Sequence, residues 1–459
     1  MVQQQRLVLI VAILAAAISF LDGTVVNVAL PAIAHELGGG LATQQWVVNA
    51  YLITLGAFIL LAGSLSDVFG RKKVLLGGLV GFGITSVLCA VAPTALMLIL
   101  SRGLQGIAGA LLVPSSLALI IGAFSGKGEA KAIGIWTAWT SGAMILGPLL
   151  GGTLVDAGSW RWVFAINVPL IAITIWLLRK LHAPEEIHQH THVDVRGAVL
   201  CTSSLAAIVY ALIEQPRYGW DSPAIYAPLI LGGLAFIYFL FHERRVPNPM
   251  LPLQLFTVRN FSFGNMATTA IYAGLSVSTF VIVVFIQQVG GYSAFQAGVS
   301  LLPVTACMIL LSSRFGALAG KYGPRLFMTT GPIIAGIGFL TMLRVDANVS
   351  YVSELLPGIL LFGLGLSMTV APLTAAVLGD IDPKHAGIGS AVNNAVARIA
   401  GLLATAAVGV IVGAQLDVSG FHKGVVFMSA LLITGGIISC IGIRNRPVAI
   451  HHRHRRLNV

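Results

Sequence analysis

Residues 7–30 read LVLIVAILAAAISFLDGTVVNVAL, an apolar run interrupted by a single charge, Asp22. At a rise of about 1.5 Å per residue the run is long enough to cross a hydrocarbon core of roughly 30 Å as a helix. It starts after Arg6 but is too long for a removable signal peptide and has no small-residue cleavage site, so it reads as a first membrane span. A carboxylate inside such a span is costly unless it faces a partner or a water-filled cavity. Asp22 is therefore functional by default.

Composition agrees with that reading along the whole chain. Hydrophobic residues make up 57% and charged residues 9%, with a mean hydropathy of +0.91, against about 25% charged residues in soluble domains. The fold class is all-α integral membrane. Apolar stretches predict fourteen spans, at 7–30, 43–63, 74–92, 95–121, 130–156, 160–180, 194–214, 222–241, 261–288, 296–319, 326–344, 351–378, 386–413 and 424–443. They are called spans 1 to 14 in chain order.

Basic residues orient them. With both termini in the cytoplasm, 20 of the 27 Lys and Arg fall in inside loops, tails and the span ends beside them, among them Arg71, Lys72 and Lys73, while 4 lie on the outside and 3 deeper within spans. This is the positive-inside pattern, and it accounts for the net charge of +11 without nucleic acid. The tail 451–456, HHRHRR, reads as an anchor on an anionic leaflet. Cys89, Cys201, Cys307 and Cys440 lie singly in four different spans, with no zinc or disulfide spacing. His188, His190 and His192, with His182 nearby, alternate along one linker, but no carboxylate or cysteine completes a metal site, so no metal is expected.

The chain repeats itself. Span 2 runs into Gly63-Ser-Leu-Ser-Asp67-Val-Phe-Gly70-Arg71-Lys72 and span 10 into Gly316-Ala-Leu-Ala-Gly320-Lys-Tyr-Gly323-Pro-Arg325, with Gly63, Leu65 and Gly70 matching Gly316, Leu318 and Gly323. A looser match pairs Ala132-Ile133-Gly134 with Gly387-Ile388-Gly389. The expected organisation is a six-helix bundle over 1–181, a linker with two extra spans over 182–260, a second six-helix bundle over 261–443 and a basic cytoplasmic tail over 444–459. Repeated halves are how secondary transporters hold substrate between two bodies near mid-membrane.

Five motifs sharpen this. Span 1 ends in Leu21-Asp22-Gly-Thr-Val-Val-Asn27-Val-Ala-Leu-Pro31, and the loop after span 2 reads GSLSDVFGRKK. Span 4 carries Arg102-Gly-Leu-Gln105-Gly106-Ile-Ala-Gly109, span 5 carries Gly142-Ala-Met-Ile-Leu-Gly147-Pro148-Leu-Leu-Gly151-Gly152, and span 6 opens Trp160-Arg161-Trp162-Val-Phe164-Ala-Ile-Asn167-Val-Pro169. Together they resemble the major facilitator superfamily, in particular its fourteen-helix drug:proton antiporter family, over essentially the whole chain. That resemblance implies a major facilitator fold of two six-helix bundles plus two central helices. It also implies a cytoplasmic gate at Gly63, Asp67, Gly70, Arg71 and Lys72, and an exporter's helix motif at Gly142, Gly147, Pro148, Gly151 and Gly152. The second half departs from the pattern where Gly320 stands in the place of Asp67.

The residues also carry readings of their own. Gly70 permits a sharp reversal, and Arg71 to Lys73 satisfy the positive-inside rule without any gating role. Ala143, Gly147 and Gly151 form a four-residue small strip on which a neighbouring helix can pack closely, a device common to membrane helices of any function. Asp22 lies eight residues below Leu30 and Arg102 eight below Thr94, which puts both about 12 Å deep. They are expected to pair as the proton-coupling site, the alternative being a static ion pair. Arg398 is the other deep charge, on a span that also carries Asn393. Asn27, Trp46, Asn49, Tyr51, Gln105, Trp136, Trp139 and Gln287, with Asn393 and Arg398, are the expected lining of a substrate cavity, rings with a few polar handles. With one acid and two arginines at depth, multiply cationic cargo is disfavoured.

Enzyme chemistry finds no footing. Gly122 to Glu129 lacks the Ser or Thr of a phosphate loop after Lys127, and Gly81-Phe-Gly83 lies inside a span rather than after a strand. The expected function is a proton-coupled antiporter exporting amphipathic drugs or toxic compounds, with no cofactor and the proton gradient as its energy source. The alternative is an exporter of one dedicated metabolite, natural product or lipid on the same fold. The chain is expected in the plasma or inner membrane, working as a monomer within the lipid bilayer.

Overall fold

The computed structural model describes residues 3–124, 127–181, 194–247, 249–382 and 386–445. The linker histidines 182, 188, 190 and 192 and the tail 451–456 lie outside them. Among the described residues thirteen helices are long and apolar enough to cross a membrane, and Gly40–Phe69, which is span 2, makes the fourteenth. No strand occurs among them. The span boundaries agree with the sequence expectation to within a few residues, except that span 1 begins at Gln3 and continues to Leu37, span 2 continues to Phe69 and span 14 begins at Val418.

Prolines explain where spans break. Pro31, Pro169 and Pro303 have no N–H to donate to the carbonyls of Asn27, Ala165 and Val299. Span 1 passes through a 3-10 turn at Val26–Ala29, span 6 divides into Trp162–Ala165 and Asn167–Arg179, and span 10 divides into Ala294–Ser300 and Leu302–Tyr322. Span 13 also breaks, into Ala386–Ala406 and Val408–Val412, with no proline behind it. Here a side chain from the other half supplies the missing donor, because the Gln45 amide donates to the carbonyls of Thr405 (2.8 Å) and Ala406 (3.0 Å).

The internal repeat is visible in the backbone. Gly70 ends span 2 at φ 92° and ψ 135°, and Gly323 ends span 10 at φ 87° and ψ 155°. Both sit in the left-handed region that a side chain disfavours, so the matching glycines of the two motifs make the same reversal into the next span.

Spans 1 to 6 pack on one another, and so do spans 9 to 14, while span 7 (Val195–Tyr218) and span 8 (Pro223–Glu243) pair together and span 7 also leans on spans 2 and 13. The two groups of six meet where span 13 packs on span 2, where the first part of span 10 packs on span 5, and where span 9 meets the turn of span 1. Hydrogen bonds between the groups are found at the end away from Arg71. They are the Gln45 bonds and two from the backbone N–H groups of Ala294 (3.1 Å) and Phe295 (3.0 Å) to the carboxylate of Asp156. Close glycine packing seals the same end, with Gly298 against the Pro148 carbonyl and Gly152 against Ala294 and Phe295.

Candidate functional site

Asp22 is fully buried, and every donor around it comes from the first six spans. Its Oδ2 accepts from the Arg102 guanidinium at 2.6 Å, while Oδ1 accepts from the amides of Asn167 (2.9 Å) and Gln105 (3.3 Å). Gln105 ties the cluster together, since its Oε1 accepts from Arg102 at 2.7 Å and its amide also donates to the Ser86 hydroxyl at 2.9 Å. Arg102, itself 2% exposed, donates through Nε to the Val47 carbonyl at 3.1 Å and lays its guanidinium over the Tyr51 ring, 4.2 Å from the centroid. The Tyr51 hydroxyl is 3.2 Å from that of Ser19. Spans 4 and 6 thus supply the donors to the span 1 carboxylate, one charged and two neutral.

Equal depth counted along spans 1 and 4 brings Asp22 and Arg102 together as expected. Asn167 is the member that sequence reasoning missed. Its signal was its place in the quoted span 6 motif, where an amide just before Pro169 stands in an otherwise apolar segment.

Several expected cavity residues have partners of their own. Trp46 turns sideways, donating to Glu214 of span 7 at 3.0 Å and packing on Tyr210. It lines a separate cavity of about 770 Å³ with Leu96, Arg217 and Gly409, because the extra span 7 covers that face of span 2. Gln105 belongs to the Asp22 cluster, sealed from solvent. Trp136 is 9% exposed and donates to the Ala12 carbonyl, so it fastens span 5 to span 1, whereas Trp139, three residues on, is 66% exposed. Trp160, at the start of span 6, is buried and donates to Glu36 at 2.6 Å. Asn393 is engaged with Asn265 (3.0 Å) and Thr268 (2.9 Å) of span 9, and Gln287 bonds to the Val283 carbonyl of its own helix. Asn27 sits in the turn of span 1.

Three residues remain at the meeting of the halves. Asn49 is fully buried with both amide atoms lacking a partner. Tyr51 and Arg398 come from opposite halves and lie within electrostatic reach of each other, with Tyr272 of span 9 beside them. Arg398 keeps part of its surface open.

The two glycine motifs divide by task. Along span 5, a side chain at Gly147 would meet Thr24 and the Leu21 carbonyl, and one at Gly151 would come within 2.6 Å of the Val25 carbonyl. Those two positions bring span 5 onto span 1 along Leu21 to Val28, beside Asp22, while Pro148 and Gly152 face the second half, and Gly142 meets nothing. At the other motif, the Arg71 guanidinium lies against Gly122 and Lys72 donates to the Leu181 carbonyl at 2.7 Å. The side chains of Gly63 and Asp67 lie outside the described residues.

Comparison with known proteins places this geometry in a family. The model of the Major Facilitator Superfamily matches residues 12–405. The puromycin resistance protein pur8 of Streptomyces alboniger is 34% identical over 404 residues, covering 87% of this chain and 80% of that protein. The methylenomycin A resistance protein of Streptomyces coelicolor is 33% identical over 86% of this chain and 83% of that one, and the multidrug transporter protein MdtP of Bacillus subtilis is 31% identical over 90% and 76%. Among solved structures, the xylose transporter XylE of E. coli in an inward open conformation superposes with a TM-score of 0.65 at 14% identity, covering 96% of this chain and 97% of that one. A peptide transporter POT mutant bound to sulfate gives 0.69 at 15% identity over 94% and 92%. The chain is a non-enzymatic, multi-pass membrane transporter that belongs to the major facilitator superfamily, among its drug-resistance and efflux members.

Proposed function

We propose that this drug-exporting transporter is a proton-coupled antiporter for amphipathic compounds, working as a monomer in the plasma or inner membrane with both termini in the cytoplasm. One observation carries the proton assignment: Asp22 is the only carboxylate among the described residues that is buried within a span away from its ends, and its charge is met by Arg102. No cofactor is needed, because the gradient acts through this one group. A proton arriving at Asp22 neutralises it and frees Arg102, and the first bundle is then held less firmly in its present packing.

The bundles over 1–181 and 261–443 are the two moving bodies, and the spans within 182–260 ride with them. In the present state the halves are fastened at the end away from Arg71. By the positive-inside rule that end faces outward, so the cleft between the halves is poised to take cargo from the cytoplasm or inner leaflet. The loop at Gly63, Asp67, Gly70, Arg71 and Lys72 is the part that closes when the halves rock the other way. Relatives named for resistance to one antibiotic and relatives named as multidrug transporters both lie within a few per cent identity of each other in their likeness to this chain. The reading chosen is the broader one.

Proteoliposomes with an imposed pH gradient test it. The wild type should move a fluorescent amphiphile against its gradient when the proton gradient is applied, and Asp22→Asn should move it only downhill. Uphill transport by Asp22→Asn would overturn the assignment.

A further inference from the structure

Arg398 is the charge that the rest of the membrane interior leaves unanswered. It lies on span 13, which packs on span 2 of the first half and span 9 of the second. Among the described residues its guanidinium donates no hydrogen bond and meets no carboxylate, though it is not sealed from solvent. The phenol of Tyr272 is likewise without a hydrogen-bond partner, and it stands near Arg398 together with the phenol of Tyr51. A guanidinium offers five N–H donors in a rigid fork that matches a carboxylate, and an arginine at membrane depth is costly to keep without an acceptor. Arg102 has its acceptor in Asp22. Arg314, by contrast, is exposed on its helix.

We propose that Arg398, with the hydroxyl group of Tyr272, is the docking point for a carboxylate on the cargo, and that the exported compounds are amphipathic monoanions. The sign and the number both follow from the charges present. A cation entering the cleft meets an unpaired guanidinium with no acid to hold it, because Asp22 is already engaged. A dianion brings a second charge for which no second unpaired cation stands at this seam. A single carboxylate takes the fork of Arg398 and the free O–H of Tyr272, while its apolar remainder lies along the seam. Tyr51, which carries Arg102 on its ring face, lies within electrostatic reach of Arg398, so the docking point and the proton site are electrostatic neighbours.

This inference rests on the export reading, and its test is a binding measurement that does not depend on transport. Three naphthalene probes of one skeleton, bearing a carboxylate, a primary amide or an ammonium group, are equilibrated with the purified full chain in nanodiscs, with protein-free nanodiscs as the blank. The wild type should bind the carboxylate at least tenfold more tightly than the ammonium probe, with the amide between them. In Arg398→Gln the ratio of carboxylate to amide affinity should fall to about one, Arg398→Lys should recover part of it, and Tyr272→Phe should lower it severalfold. Using the ratio within each variant removes any general loss of binding, and thermal unfolding of each variant reports its fold. A wild type that favours the ammonium probe, or an Arg398→Gln variant that keeps the full preference for the carboxylate, overturns the proposal. Failure of uphill export with the charge preference intact would instead count against the antiporter reading.

Discussion

Asn167 donates a 2.9 Å hydrogen bond to the Asp22 oxygen that Arg102 does not touch, so the carboxylate is held by a charged partner from span 4 and, beside Gln105, a neutral one from span 6. The two partners should differ in what their loss costs. Arg102→Ala strands a buried carboxylate and should cost about 3–5 kcal/mol, while Asn167→Ala removes one neutral bond and should cost about 1–3 kcal/mol. Denaturant or thermal unfolding in detergent measures both, and the order is the point at issue. An Asn167→Ala variant less stable than Arg102→Ala would mean that the amide, not the ion pair, organises the site.

The seal between the halves makes a prediction about conformation. A methyl group at Gly298 would press on the Pro148 carbonyl, and one at Gly152 would come within 2.7 Å of the Ala294 carbonyl. Neither position packs within its own half at these contacts, so the strain falls on the closed end alone. Over-packing of this kind costs about 1–3 kcal/mol, which corresponds to roughly a 5- to 150-fold shift of a two-state equilibrium. Spin labels at Ala157 and Ala347, both exposed at that end, should report a longer distance in Gly298→Ala than in the wild type. Asp156→Asn, which weakens two hydrogen bonds to the N-terminus of the Ala294–Ser300 helix without adding bulk, should shift the distance in the same direction by less.

Two tryptophans of one helix should behave in opposite ways. Trp136 is buried with its indole N–H on the Ala12 carbonyl, and Trp139 is exposed. Trp136→Ala should cost about 3–5 kcal/mol, and Trp139→Ala should stay within about 0.5 kcal/mol, as read from the unfolding midpoints of the two variants. Equal losses would place both rings in the packed interior.

That contrast also marks how far the sequence could be read. Fourteen apolar runs, the glycine repeat and the common depth of Asp22 and Arg102 are periodic or additive features, and each could be read along one strand of text. The broken spans were legible in principle, because Pro31, Pro169 and Pro303 each silence a donor at a known distance. What a single sequence could not give is azimuth. Trp46 was expected in the central cavity, but which way it turns depends on span 7 covering that side of span 2, and Trp136 and Trp139 differ only by three residues of helical rotation. Asn167 escaped for a related reason, since its role depends on span 6 crossing span 1 at the depth of Asp22, and no spacing in the chain encodes that crossing.

The pair of extra spans has its own pH signature. Asp194 caps span 7, its Oδ1 accepting from the Gly197 N–H at 2.9 Å, and the same carboxylate lies 3.0 Å from Nε2 of His242 at the end of span 8. Burial by itself would raise the pKa of Asp194, but the Gly197 N–H and the His242 ring outweigh it and hold the carboxyl below its usual value. A carboxyl whose pKa is depressed by folding adds stability that is fully present above its unfolded pKa of about 3.9 and is lost as pH falls through the folded value. Asp194→Asn keeps a capping oxygen but no charge. The wild type should therefore unfold at a higher temperature than Asp194→Asn near neutral pH, and the gap between them should close as pH is lowered below about 4. Taking the difference between the two proteins at each pH cancels the carboxylates remote from Asp194, which titrate alike in both; Glu243 and His242, which are coupled to it, do not cancel. A gap that stays constant down to low pH would show that Asp194 joins spans 7 and 8 by packing and not by its charge.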